Sequence, residues 1–167
     1  SGLELSRAER EFIRGESPWG FILFKRNIET KSQVSGLVSE LRELIGRPDA
    51  PVLIDQEGGR VQRLGPPHWP VYPPGALFGA LYDIEPDLGL TAARISSRLI
   101  AADLVDLGID VDCLPLADVP VAGADAVIGN RAYGTEPAKV AAIAASALRA
   151  IASDILPAGS IRPPLST

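Results

Sequence analysis

The segment VLIDQEGGRVQR, residues 52–63, joins a short apolar run to a polar loop that contains two acids, two glycines and two arginines. An uninterrupted apolar run of this length is typical of a parallel strand covered on both faces. In α/β folds, ligands bind beyond the carboxyl ends of such strands. The segment therefore predicts an α/β fold and marks the edge of the sheet at which a site is expected.

Strand-like and helix-like patterns alternate along the chain. Apolar runs predict strands at 20–24, 52–54 and 109–116. Apolar residues at helical spacing predict helices over 6–15, 34–45, 88–108 and 135–151. The third helix is marked by Leu88, Ala92, Ile95, Leu99 and Ala102. This order predicts a parallel sheet with right-handed crossovers, in either a doubly wound fold or an eightfold barrel.

Two stretches depart from this alternation. Residues 58–79 are rich in glycine and proline and are expected to form a long loop, which is usually a functional feature. An apolar run that begins at Ile155 predicts the start of another strand, but no helix-forming pattern follows it in residues 158–167. A complete eightfold barrel needs about 250 residues. The 167 residues are therefore expected to form an open part of a barrel.

The composition fits one folded domain that acts on a small ligand. Hydrophobic residues make up 46% of the chain, and the formal net charge of -5 is spread over interspersed acids and bases. This distribution argues against binding to nucleic acid or to a membrane surface. No apolar run approaches the roughly 20 residues that span a bilayer, and residues 1–10 do not resemble a signal peptide. Cys113 is the only cysteine and cannot close an intrachain disulfide, which favours a cytoplasmic location. It is expected to be a buried structural thiol.

Asp55 and Arg63 are the residues of the 52–63 segment best suited to hold a sugar. An aspartate can accept hydrogen bonds from two adjacent hydroxyl groups, and an arginine can donate to a hydroxyl or a carbonyl. The acids and arginines of this loop could equally pair with one another and only hold the loop in shape. The residues alone leave both interpretations open.

Four motifs together resemble glycoside hydrolase family 3, in particular its bacterial β-N-acetylhexosaminidases. They are DQEGGRVQR at 55–63, GFILFKRNI at 20–28, GIDVD at 108–112 and VIGNRAYG at 127–134, in the order and spacing of the family. The resemblance covers about residues 3–157. It implies the amino-terminal half of a parallel β/α barrel of the TIM type. It also implies retaining hydrolysis of terminal N-acetylglucosamine, commonly from cell-wall muropeptides during recycling.

The resemblance assigns three substrate-binding residues. It makes Asp55 the carboxylate that grips the sugar hydroxyls, with Arg63 and Arg131 completing the same subsite. It implies no cofactor and no metal ion, and a small carbohydrate as the substrate. Residues 1–157 are then expected to be the amino-terminal half of the family's barrel, and 158–167 an atypical, disordered tail.

The resemblance assigns no catalytic residue in this sequence. The family's Lys-His pair, its catalytic Asp-His dyad and its nucleophilic aspartate have no counterpart after Pro157. The chain is therefore expected to be a truncated, inactive member of a hydrolase family. The alternative is a non-catalytic α/β module that binds a sugar or a partner protein. A nucleotide-binding domain is disfavoured because Gly58 and Gly59 lack the surroundings of a phosphate-binding loop.

Other side chains of the loops have weaker cases. His68, the only histidine, lies in a proline-rich loop, and a structural role is preferred to acid–base catalysis. Trp69 and Tyr72 could stack on a sugar face or simply pack the loop. Asp118 is expected to shape the rim of the pocket, and Lys25 to hold its loop in place.

Overall fold

A three-stranded parallel sheet lies at the centre of the computed structural model, which describes residues 1–123 and 126–155. Strand β1 (Phe21–Leu23) pairs with β2 (Val52–Ile54), and β2 pairs with a third strand at Val111–Asp112. Phe21 lies opposite Val52, and Leu53 lies opposite Val111. The predicted α/β class with a parallel sheet is confirmed. The third strand has two residues rather than the eight predicted at 109–116.

Five helices accompany this sheet in the described part of the chain. They are α1 (Arg7–Glu16), α2 (Lys31–Ile45), α3 (Gly75–Ile84), α4 (Pro86–Val105) and α5 (Pro137–Ile155). A capping box begins α1, where Ser6 accepts a hydrogen bond from the backbone of Glu9. Helix α2 ends at Gly46, whose φ of 65° is the left-handed conformation that favours glycine. Ile155 is helical, so the strand predicted to begin there is wrong at that residue. Residues 158–167 lie outside the described residues.

The stretch 58–79 is less irregular than its composition suggests. A short antiparallel hairpin, β3 (Gln56–Gly58) and β4 (Val61–Gln62), lies at its start, and α3 begins at its end. The third strand of the parallel sheet, Val111–Asp112, is therefore β5. Strands of two or three residues are too short to show an alternating pattern. Helix α3 was not predicted, because Gly75 and Gly79 suggest a loop. Both glycines instead lie on the packed face of this helix.

The buried side chains form two clusters. The larger one combines residues of the sheet, α2, α4 and the loop at 64–72. The smaller one joins α3, α4 and α5 through Phe78, Ala93, Val140 and Ile143. Leu23 and Ile54 of the sheet belong to the larger cluster, and the β3–β4 hairpin lies against residues 72–74, directly before α3. No helix within 1–123 and 126–155 combines the length and apolar character that a bilayer crossing requires.

Candidate functional site

Asp55 and Arg63 meet at the carboxyl edge of the sheet. Asp55 follows the last residue of β2, and the β3–β4 hairpin turns the chain back so that Arg63 lies beside it. Arg63 Nη2 donates to Asp55 Oδ2 at 2.7 Å. The two side chains retain 23% and 25% of their exposure, so a ligand can still reach both.

A buried glutamine fixes the position of Arg63. The side-chain Oε1 of Gln56 accepts hydrogen bonds from the backbone N–H of Arg63 at 2.9 Å and of Leu64 at 3.0 Å. Lys25 Nζ donates to the Arg63 carbonyl at 3.0 Å, which is the loop-holding role expected for this lysine. The role of Gln56 was not predicted, because no neighbouring residue in the sequence distinguishes a buried glutamine from an exposed one.

The hairpin depends on a glycine in a special conformation. Gly58 has a φ of 91°, and a Cβ at this position would lie 2.4 Å from the carbonyl oxygen of Pro73. A side chain is excluded both by the backbone conformation and by this close approach. The 55–63 segment therefore needs glycine here to pass beneath residues 72–74 and return to Asp55.

Arg131 enters the same edge from a distant part of the chain. It ends a short 3₁₀ turn, Gly129–Arg131, and its guanidinium pairs with both carboxylate oxygens of Glu57. Nε donates to Oε2 at 2.8 Å, and Nη2 donates to Oε1 at 2.7 Å. Arg60 also bonds this region, because its guanidinium donates to the carbonyls of Val127 and Ile128.

The charges at this edge favour an ionised Asp55. Burial works against ionisation, but the hydrogen bond and the charge of Arg63, a contact from Cys113 and the charge of Arg131 outweigh it. The pKa of Asp55 therefore lies below its usual value. The ion pair with Glu57 is the main cause that raises the pKa of Arg131. The edge thus presents the Asp55 carboxylate, with the Arg63 guanidinium bound to it and the charge of Arg131 acting on it.

The three residues assigned by resemblance are therefore brought to one edge, but in two separate pairs. Arg63 binds Asp55 directly. Arg131 binds Glu57, and its charge reaches Asp55. The sequence did not predict the Glu57–Arg131 pair, because the partners are 74 residues apart and no pattern links them.

The weaker candidates have structural roles or lie at the surface. Trp69 and Tyr72 are buried in the core, and the Tyr72 hydroxyl donates to Asp103 Oδ2 at 2.7 Å. His68 is exposed and makes an edge-on contact with the ring of Trp69. Asp118 is exposed, and its charge acts on Arg131.

Cys113 differs from the expectation. It is exposed rather than buried, because it follows the short strand β5 at the open edge of the site. Partial loss of solvent around the thiol is the largest influence on its pKa, and the hydrogen bond and charge of Asp55 add to it, so that the pKa rises to about 11. Among the residues that the structure describes, no three His, Cys, Asp or Glu side chains are grouped so that they could hold a metal ion.

Known proteins are similar to this chain in sequence and in fold. The family model described as "Glycosyl hydrolase family 3 N terminal domain" matches residues 2–159. A beta-hexosaminidase of Methylococcus capsulatus is 39% identical over 158 residues, covering 95% of this chain and 44% of the relative. A beta-hexosaminidase of Xanthomonas campestris is 34% identical over 151 residues, covering 90% of this chain and 44% of the relative.

A solved structure is also similar to this chain. NagZ from Neisseria gonorrhoeae, in complex with N-trifluoroacetyl-D-glucosamine, superposes with a TM-score of 0.84 at 31% identity. The match covers 92% of this chain and 45% of NagZ. The chain thus spans slightly less than half the length of each of these three proteins. On the family match, the sequence identity and the shared fold, this chain belongs to glycosyl hydrolase family 3.

Proposed function

We propose that this chain supplies the sugar-holding part of a β-N-acetylglucosaminidase-type hydrolase, with residues 1–157 forming the amino-terminal half of a β/α barrel. The observation that carries the proposal is the Asp55–Arg63 pair, which stands partly exposed at the carboxyl edge of the sheet. Sites of α/β enzymes form at this edge. The ligand is a terminal N-acetylglucosamine, and cell-wall muropeptides in the cytoplasm are the proposed source.

The polar groups of the edge match the chemistry of such a sugar. An ionised Asp55 can accept hydrogen bonds from two adjacent hydroxyls, and its lowered pKa keeps it ionised at neutral pH. Arg63 holds this carboxylate in place. Arg131 carries N–H groups beyond those bound to Glu57, and these can donate to a hydroxyl or to the acetamido carbonyl.

The described acids of this edge bind rather than react. Retaining hydrolysis uses a nucleophile and a proton donor about 5 Å apart across the sugar. Asp55 and Glu57 are each held by an arginine, and the lowered pKa of Asp55 leaves it without a proton to donate. We therefore expect the 167-residue chain to bind the sugar without hydrolysing it.

A titration with N-acetylglucosamine tests the proposal. Amide spectra of the ¹⁵N-labelled chain should show saturable shifts around Asp55 and Arg63. Asp55→Asn should weaken the affinity at least tenfold, because a charged acceptor is lost. Asp49→Asn is the matched control, since Asp49 is an exposed acid that precedes the same strand at its opposite end. Equal affinities of both variants, or no saturable shifts in the wild type, would overturn the proposal.

A further inference from the structure

Glu57 is the most deeply buried acid at this edge. Only 8% of its surface is exposed, whereas Asp55 beside it is partly open. A buried carboxylate is costly unless it is paired and hydrogen-bonded, and truncating its partner leaves that cost uncompensated. Because so little of its surface is exposed, Glu57 is poorly placed to touch a sugar. Its role must therefore lie in what it does to Arg131.

The contact between Glu57 and Arg131 fixes the direction of the guanidinium. Nε and Nη2 lie on one edge of the planar group, and each donates to a different carboxylate oxygen, at 2.8 and 2.7 Å. Two parallel bonds restrain both the position and the plane of the group. Among the residues that the structure describes, none accepts from the N–H groups on Nη1 or from the second N–H on Nη2, so these are left for another acceptor.

The backbone of Arg131 is held independently by α3. A Cβ on Gly75 would lie 2.1 Å from the carbonyl oxygen of Arg131. A Cβ on Gly79, one helical turn later, would lie 1.7 Å from the carbonyl oxygen of Tyr133. Only glycine allows the segment 131–133 to lie this close to the helix. Arg131 is thus anchored at its backbone by α3 and at its guanidinium by Glu57.

We propose that Glu57 is a positioning residue, which aims the free N–H groups of Arg131 at an acceptor oxygen of the bound sugar. The inference rests on the proposed function, because it assumes that the sugar binds beside Asp55. It adds a residue that itself makes no contact with the sugar. The bidentate geometry, rather than the positive charge alone, is the property that Glu57 imposes on Arg131.

The first test compares Glu57→Gln with the wild-type chain. Glutamine keeps the shape of the side chain but offers one acceptor oxygen, so the fork is lost. The Nε–H signal of Arg131 should exchange with water markedly faster, and the affinity for N-acetylglucosamine should fall about tenfold. Glu43→Gln, an exposed acid on α2, is the control and should change neither quantity. Unchanged exchange and affinity in Glu57→Gln would overturn the proposal.

A double-mutant cycle shows whether Glu57 acts through Arg131. Arg131→Ala should weaken sugar binding, and adding Glu57→Gln to it should weaken binding no further, because the two residues act as one unit. Effects that multiply would contradict the proposal, since Glu57 would then act by another route.

A third variant covers the case in which Glu57→Gln does not fold. Arg131→Lys keeps the charge opposite Glu57 but cannot form the fork. It should bind the sugar as weakly as Arg131→Ala, and wild-type affinity in this variant would overturn the positioning role. Failure of the wild type to bind would instead overturn the proposed function. The exchange of the Arg131 Nε–H signal, which needs no sugar, would still decide whether Glu57 holds Arg131.

Discussion

Asp112, the last residue of β5, is an acid whose pKa the structure raises well above its usual value. Its Oδ1 accepts a hydrogen bond from the backbone N–H of Gln56 at 3.0 Å, whereas its Oδ2 is buried without a partner among the described residues. Burial is the largest influence, and the charges of Glu57 and Asp55 add to it. Backbone hydrogen bonds from Gln56 and Cys113 act in the opposite direction. The net effect raises the pKa of Asp112 to about 7.

Replacement of Asp112 by asparagine should change how stability depends on pH. The pKa of an unfolded aspartate is about 3.9, so between about pH 4 and pH 7 the folded chain keeps a proton that the unfolded chain has lost. Stability therefore falls as pH rises through this window. Asp112→Asn has no proton to lose, so its free energy of unfolding relative to wild type should rise from pH 4 to pH 8.

The expected rise is on the order of a few kcal/mol. Urea unfolding of both proteins at several pH values measures it. A difference between the two proteins that stays constant over this range would mean that Asp112 is ionised in the folded chain.

Individual residues of the site were only partly predictable. Asp55 and Arg63 follow from their place just beyond a buried strand, and both lie at that edge. The Glu57–Arg131 pair depends on how the turn at 129–131 packs against α3, which no local pattern encodes. The pKa of Asp112 likewise depends on charges that the fold brings together. Contacts between distant segments, rather than residue types, account for what the sequence missed.

At the scale of single elements, α4 shows how a strong apolar pattern can mislead. The residues that mark the helix in the sequence include Leu88, Ile95 and Leu99, and all three are exposed. The buried face instead consists mainly of small residues, together with Ile100 and Leu104. Small residues allow α4 to lie close to α3 and α5, so close packing replaces bulky side chains on this face. The pattern located the helix correctly but did not identify its buried face.

A pair of leucines on α4 tests this assignment. Leu104 is 0% exposed and Leu99 is 55% exposed. Leu104→Ala should lower the free energy of unfolding by about 2–5 kcal/mol, because it leaves a cavity in the larger cluster. Leu99→Ala should change it by less than about 1 kcal/mol. Urea unfolding of both variants gives the comparison, and equal losses would place Leu99 in a packed environment that the structure does not show.

At the scale of the whole molecule, the sheet has one covered and one open face. Leu23 and Ile54 are buried on the covered face, whereas Ile22 on the other face is 44% exposed. Ile22 lies in register with Leu53, and Leu53 with Val111, so three apolar side chains share the open face. In the barrel that we propose, this face would point inward. The alternating pattern predicted a parallel sheet, but it is the same for an open sheet and for a barrel, so it could not predict which face of the sheet is exposed.

Under the proposed function, this chain holds the sugar but does not supply the reacting groups. General acid–base catalysis contributes roughly 10²–10⁴-fold, and a nucleophile adds to that. Asp55 is bound to Arg63, and Glu57 is bound to Arg131. Asp112 lies at the end of β5. Release of chromophore from a chromogenic N-acetylglucosaminide by the purified 167-residue chain tests the claim, with Asp55→Ala as the control for contaminating hydrolase. We expect no release above that of the control. Release by the wild-type chain that disappears in Asp55→Ala would contradict the claim and show that these residues contain a working catalytic pair.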